Sequence, residues 1–131
     1  MSFIGKMFQL TAGKADAKRD ANLVAPEDVT AIYDVPYVEN NDNYNLLDVY
    51  YPKDTQGLLP VIVSVHGGGY VYGTKEIYKF YGMYLAKQGF TFVNVNYHLA
   101  PDAKFPTQLM ETNMVLEWMV KHAEEYHMDL N

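Results

Sequence analysis

Residues 61–65 read Val-Ile-Val-Ser-Val, an almost unbroken apolar and β-branched run without the inside-outside alternation of a half-buried strand. A strand of that kind is covered on both faces, as in a parallel sheet with helices on either side. His66-Gly67-Gly68-Gly69 follows at once. Consecutive glycines lack Cβ atoms, so the turn leaving the strand can take positive φ and admit a ligand close to its backbone N–H groups. Residues 76–88 then place Ile77, Tyr81, Tyr84 and Leu85 on one helical face, with Thr74 as N-cap and Gly89 as the C-terminal stop. Residues 90–97 read as another strand. Strand, helix and strand within about 40 residues form a βαβ unit with a right-handed crossover, so the chain is an α/β protein.

The flanks extend that unit. Residues 29–38 and 44–51 are rich in β-branched and aromatic side chains, and Glu39-Asn40-Asn41-Asp42-Asn43 between them is turn chemistry, which predicts an antiparallel hairpin. Pro36 places the first strand at a sheet edge. A last helix over 106–126 is expected to bury Leu109, Leu116, Met119, Ala123 and Tyr126 and to pair Glu117 with Lys121, with no strand after it. Near the start, Phe3, Ile4, Met7, Phe8 and Leu10 fall at helical spacing. They predict an amphipathic helix that packs on the domain; Lys6, Lys14, Lys18 and Arg19 support the alternative of a membrane-surface or targeting helix, which Asp16 and Asp20 dilute. Gly5 and Lys6 interrupt the apolar run a signal peptide needs. Two parts result, a helical segment over 1–28 and an α/β core over 29–131 with four strands and two helices.

Composition narrows the chemistry. The 131 residues contain no cysteine, which removes disulfides, thiolate metal sites and thiol catalysis and suits a reducing, cytoplasmic location. With 16 acidic against 10 basic side chains and Arg19 the only arginine, a nucleic-acid partner is not expected. No apolar run approaches the roughly 20 residues of a membrane span.

Three functions exploit a glycine triplet after a strand. In a phosphate loop a lysine precedes a serine or threonine; Gly68 and Gly73 have the right separation, but Thr74 precedes Lys75. A dinucleotide fingerprint beginning at Gly67 needs glycine where Tyr72 stands. The third use is an oxyanion hole, and beside it stands a plain tight turn; the triplet alone does not separate these two. No cofactor is expected.

Asn96-Tyr97-His98-Leu99-Ala100-Pro101, followed by Phe105-Pro106, resembles the Asp-Tyr-Arg-Leu-Ala-Pro and Phe-Pro signature of the hormone-sensitive-lipase-like branch of α/β-hydrolase esterases. Leu47-Asp48-Val49-Tyr50-Tyr51-Pro52 is similar to the Leu-Asp-x-Tyr-x-Pro strand that precedes the oxyanion strand in that family. The resemblance implies a carboxylic ester hydrolase of the serine acyl-enzyme type acting on short acyl esters of small molecules, with residues 1–28 suited to a helical cap. It places Gly68 and Gly69 as oxyanion donors, Gly67 as the residue that allows the turn, and His66 as a hydrogen bonder holding the loop. Tyr70 and Tyr72 would lie near the acyl or alcohol pocket or be partly buried aromatics. Asn96 and His98 depart from the family's aspartate and arginine, so a pair formed between them would be neutral or pH-dependent.

Such an esterase also needs a Gly-x-Ser-x-Gly elbow followed by an aspartate and a histidine. The serines here are Ser2, near a terminus, and Ser64, within the apolar strand as a packed hydroxyl. None of His98, His122 and His127 matches the family's base, and His122 and His127 lie five apart, on different helix faces and exposed, which rules out a shared metal. The expectation is therefore the N-terminal part of an α/β-hydrolase, inactive alone. The family's strand order, 1-2-4-3-5, would leave the strand over 59–65 at an edge and favour self-association or pairing with the missing half. The alternative is a non-catalytic truncated hydrolase fold acting as an interaction module.

Overall fold

The computed structural model describes residues 2–131. Helix α1 (Phe3–Asp20) precedes the strands β1 (Val29–Pro36), β2 (Leu46–Pro52) and β3 (Leu59–Val65); α2 (Lys79–Lys87) leads to β4 (Thr91–Val95), and α3 (Thr107–His122) leads to β5 (Met128–Asp129). The five strands form one sheet in the order β1-β2-β4-β3-β5. β2 runs antiparallel to both β1 and β4, and β3 runs parallel to both β4 and β5. The hairpin and the βαβ unit are as the sequence predicts, and Pro36 lies on the outer strand.

Double coverage falls on β4 and not, as the apolar run suggested, on β3. Every β4 residue is buried, and alternate side chains feed two cores. Val93 and Val95 pack with Leu47, Val49, Val115, Trp118 and Met119, while Phe92 packs with Tyr50, Met83 and Ala86. β3 is only half-buried, and Val65 remains 44% exposed. The cause is its second edge, where β5 pairs only with Leu59 and Pro60. That short strand corrects the expectation that no strand follows the last helix. His127, at φ 58°, turns the chain back so that its carbonyl accepts from the Leu59 N–H at 2.8 Å, and Met128 enters the core. Two residues are too few to show a period.

Helix α2 buries Gly82, Met83 and Ala86, whereas Tyr81 and Tyr84, expected inside, are 58% and 61% exposed. Gly82 sets this orientation, because a Cβ there would fall 2.5 Å from the Phe92 ring. The helix closes against the sheet on its smallest side. A 3-10 turn over Lys75–Tyr78 precedes it, Thr74 makes no side-chain cap, and Gly89 ends the segment at φ 103°. In α3 the buried residues are Gln108, Glu111, Val115, Trp118 and Met119, while Leu109 and Leu116 are exposed. Glu111 turns inward to accept from the Asn45 amide and the His98 N–H, Gln108 turns inward to donate to the His98 carbonyl, and Glu117 accepts from Asn113 in place of Lys121. His122 and His127 are partly buried, with their Nδ1 atoms on Glu125 and on the Gly57 carbonyl.

Helix α1 lies against the segment carrying Tyr72 and Ile77 and turns most of its apolar stripe outward, Phe8 excepted. Ser2 caps it by accepting from the Gly5 N–H at 2.9 Å. Gly5 is buried, Asp16 accepts from the Tyr72 hydroxyl, and Arg19 donates to the Ile77 carbonyl, while Phe3, Ile4, Met7 and Leu10 are exposed. Among the described residues no helix is long and apolar enough to cross a membrane, and no group of three or more histidine, aspartate or glutamate side chains could hold a metal ion.

Candidate active-site turn

The glycine turn leaves the C-terminal end of β3, where the parallel pairing with β4 has just ended at Val65 and Val95. Gly68 adopts φ 124° and Gly69 φ 60°. A Cβ on Gly68 would stand 2.0 Å from the Tyr72 carbonyl oxygen, so this position excludes every side chain on both torsional and steric grounds. The Gly68 carbonyl accepts from the Val71 N–H at 3.2 Å and closes the turn. Among the described residues, the Gly68 and Gly69 amide N–H groups donate to no protein acceptor. Two unengaged backbone donors at the end of a parallel strand are the chemical content of the site.

His66 is buried and holds the turn from beneath. Its Nδ1 meets the Gly67 carbonyl at 2.9 Å, and its ring stacks on Tyr97 with centroids 4.3 Å apart. Burial pushes its pKa below the ordinary histidine value, against the opposing pull of the Gly67 carbonyl and Glu76. A neutral ring with Nδ1–H donating leaves Nε2 as a buried atom with no partner among the described residues. The Tyr97 hydroxyl donates to the His66 carbonyl at 2.6 Å, and burial pushes its pKa up to about 12. The Ala100 N–H donates to the Tyr70 carbonyl at 2.7 Å. The loop over 96–101 therefore clasps the turn at both of its ends.

Tyr70 and Tyr72 part company. Tyr70, at φ 62°, is 60% exposed and lines a cleft of about 650 Å³ with Val65, Gly69, Pro101, Phe105 and Leu109. Tyr72 is buried, stacks on Phe8 at 5.9 Å and donates to Asp16 at 3.0 Å, so it anchors α1. A second apolar groove, about 630 Å³, lies between the end of α1 and the outer face of α2 beside Tyr81 and Tyr84, away from the glycine turn.

The family model described as BD-FAE matches residues 47–131, which take in β2, the glycine turn, β4 and α3. The chain belongs to the BD-FAE family. Its relatives include an α/β hydrolase of Acanthamoeba polyphaga mimivirus, 31% identical over 118 residues that cover 88% of this chain and 34% of the relative. An acetyl esterase of Salmonella schwarzengrund is 29% identical over 83 residues, 63% of this chain and 25% of its own. Among solved structures, esterase B of Lactobacillus rhamnosis in its tributyrin-phosphonate-inhibited form superposes with a TM-score of 0.88 at 30% identity, covering 97% of this chain and 41% of the esterase. This BD-FAE chain therefore has the architecture of the N-terminal portion of an α/β-hydrolase and spans well under half the length of these relatives.

Two clusters behind the turn escaped the reading of the sequence. Lys75, 3% exposed, places its Nζ 2.8 Å from Asp48, 2.9 Å from Asp34 and 2.9 Å from Glu76. Burial alone would lower its pKa, but the hydrogen bonds to Asp48, Glu76 and Asp34 outweigh that and hold it above the usual lysine value. The Lys75 N–H donates to Asn96 Oδ1, its carbonyl accepts from Asn94, and Tyr50 donates to Asp48 at 2.8 Å. The signal was an aspartate inside the apolar run Leu47-Asp48-Val49-Tyr50, which only a buried partner explains. The second cluster is His98 with Glu111 and Asp42. Asn96 takes no part in it: it bonds Lys75 and the Asn43 carbonyl and does not pair with His98.

Proposed function

We propose that this chain supplies the oxyanion-binding half of a carboxylic ester hydrolase acting on short acyl esters of small molecules through a serine acyl-enzyme. The carrying observation is the pair of unengaged Gly68 and Gly69 N–H groups at the end of a parallel strand, held by His66 and Tyr97. Donors of this kind stabilise the oxygen that becomes negative when an acyl carbonyl is attacked, and each is worth about 3 to 4 kcal/mol in the transition state. Gly67 allows the turn, and Tyr70 faces the acyl or alcohol group from the adjoining cleft. Tyr72 is assigned to α1 packing instead. The identity of the relatives as esterases supports the substrate class, and the absence of cysteine supports a cytosolic setting.

With Ser2 and Ser64 its only serines, the chain contains no nucleophile elbow and is expected to hydrolyse a p-nitrophenyl acyl ester no faster than blank. Turnover by the chain alone would overturn the assignment. The coding sequence after Asn131 tests the whole reading: an in-frame Gly-x-Ser-x-Gly within about 20 residues supports it, and an in-frame stop sinks it.

The free edge of β3 favours a second reading, in which the chain acts by binding. β5 covers Leu59 and Pro60, and the stretch from Val61 to Val65 keeps an unpaired edge among the described residues. An apolar edge of this length recruits another strand. Self-association or pairing with a complementary hydrolase half is expected, and a monodisperse monomer in light scattering at micromolar concentration would refute it.

A further inference from the structure

We infer that His98 is a positioning residue whose protonated ring fastens the loop over 96–101, and through it the glycine turn, to the rest of the domain. The ring lies between two carboxylates from different elements. Nδ1 is 2.6 Å from Glu111 on α3, and Nε2 is 3.1 Å from Asp42, in the segment between β1 and β2. Only the imidazolium donates from both nitrogens; a neutral ring keeps one bond and turns a lone pair toward the other carboxylate. The other side chains seen to bond or pack on the pair are uncharged. The Tyr44 ring packs 4.8 Å away, Asn45 donates to Glu111 at 2.9 Å, and Gln108 donates to the His98 carbonyl at 3.0 Å. The His98 N–H itself donates to Glu111 at 2.9 Å, so ring and backbone hold the same carboxylate.

From this anchor the connection to the turn is short. Tyr97, one residue earlier, donates to the His66 carbonyl, and Ala100, two residues later, donates to the Tyr70 carbonyl. Loosening residue 98 therefore frees both ends of the segment that presents Gly68 and Gly69. Where the resembling esterases usually have an arginine, charged at every working pH, this chain has a ring that donates from both nitrogens only when it carries its second proton. The order of the turn becomes a function of pH. Stability from this tie is present while the ring donates from both nitrogens and is lost when one of those protons leaves.

This inference takes its functional meaning from the oxyanion reading, but its test does not. Hydrogen-exchange mass spectrometry on the 131-residue chain, corrected for intrinsic exchange, measures protection of the peptide spanning 96–103, whose His98 and Ala100 N–H groups donate to Glu111 and to the Tyr70 carbonyl of the turn, between about pH 5.5 and about pH 8. Protection should fall about tenfold over that range, the effect of losing one charge-assisted hydrogen bond. His98→Arg should hold protection high and flat, and His98→Gln low and flat. A flat wild-type profile overturns the inference. So does a pH dependence that survives in His98→Arg, which would trace it to His66, or, if that variant does not fold, one that survives in His98→Gln. A pH-dependent turn in a protein with no nucleophile elbow downstream would leave the inference standing and remove only the esterase reading.

Discussion

Lys75→Met is expected to destabilise the chain by about 3 to 5 kcal/mol, the range for removing one partner of a buried ion pair. The methionine fills the space, so the loss is electrostatic. The Asp48 carboxylate, as deeply buried as the lysine, would keep only the Tyr50 hydroxyl and the Asp34 N–H as donors among the described residues. The urea midpoint at neutral pH measures the effect, and replacing both residues by apolar ones should recover much of it, because two apolar groups leave no orphaned charge. A loss below about 1 kcal/mol would put the pair in the class of solvated surface bridges. The pH signs follow from the partners. Burial, the largest single influence, raises the pKa of Glu76, but its hydrogen bonds to Lys75, Thr74 and the backbone and the Lys75 charge together outweigh it and the net shift is downward, so its contribution is present above its unfolded value and is lost as pH falls through the folded one. The Lys75 shift is upward, so its contribution is complete below the unfolded lysine value and is lost as pH rises through the folded one, in strong alkali.

Gly68→Ala should have the largest effect on function. The added methyl would meet the Tyr72 carbonyl oxygen at 2.0 Å, and φ 124° is closed to alanine, so the backbone must leave its present path. The Val71 N–H should lose the protection its bond to the Gly68 carbonyl gives it, and in a hydrolase completed by a serine elbow kcat should fall by about 10² to 10³ or more, as when an oxyanion donor is lost. Gly69→Ala is the control. Nothing lies within 4 Å of its Cβ, and its φ of 60° falls in the left-handed region, where an alanine adds only about 1 kcal/mol of strain. If Gly68→Ala and Gly69→Ala behave alike, the turn does not have the conformation described for it.

The sheet and the turn were legible because both depend on local chemistry. Val61 to Val65 announces a strand by composition, Asn40 to Asn43 a reversal, and three glycines a backbone that other residues cannot follow. The helix faces were not legible, since they are set by what lies opposite. Tyr81 and Tyr84 look like core residues, yet the close approach of Gly82 to Phe92 rotates them outward. Glu111 looks like a surface residue, yet it satisfies the His98 N–H and the Asn45 amide from a buried position. At the candidate site the left-handed turn at Gly68 and Gly69 followed from the motif, whereas the contacts of Lys75 and Glu111 join residues far apart in the chain.

The place of β4 bears on how the domain assembles. It is made after β3 but lies between β2 and β3, so the hairpin and β3 have no shared edge until it arrives, and its Val95 pairs with Leu47, nearly fifty residues away. Contacts of such separation are slow to form because a long loop must close before any pairing rewards it. A chain caught before that step exposes β2 and β3 together as unpaired apolar ribbons. The residues that make the finished sheet most secure are thus those whose late arrival opens the longest window for misassembly.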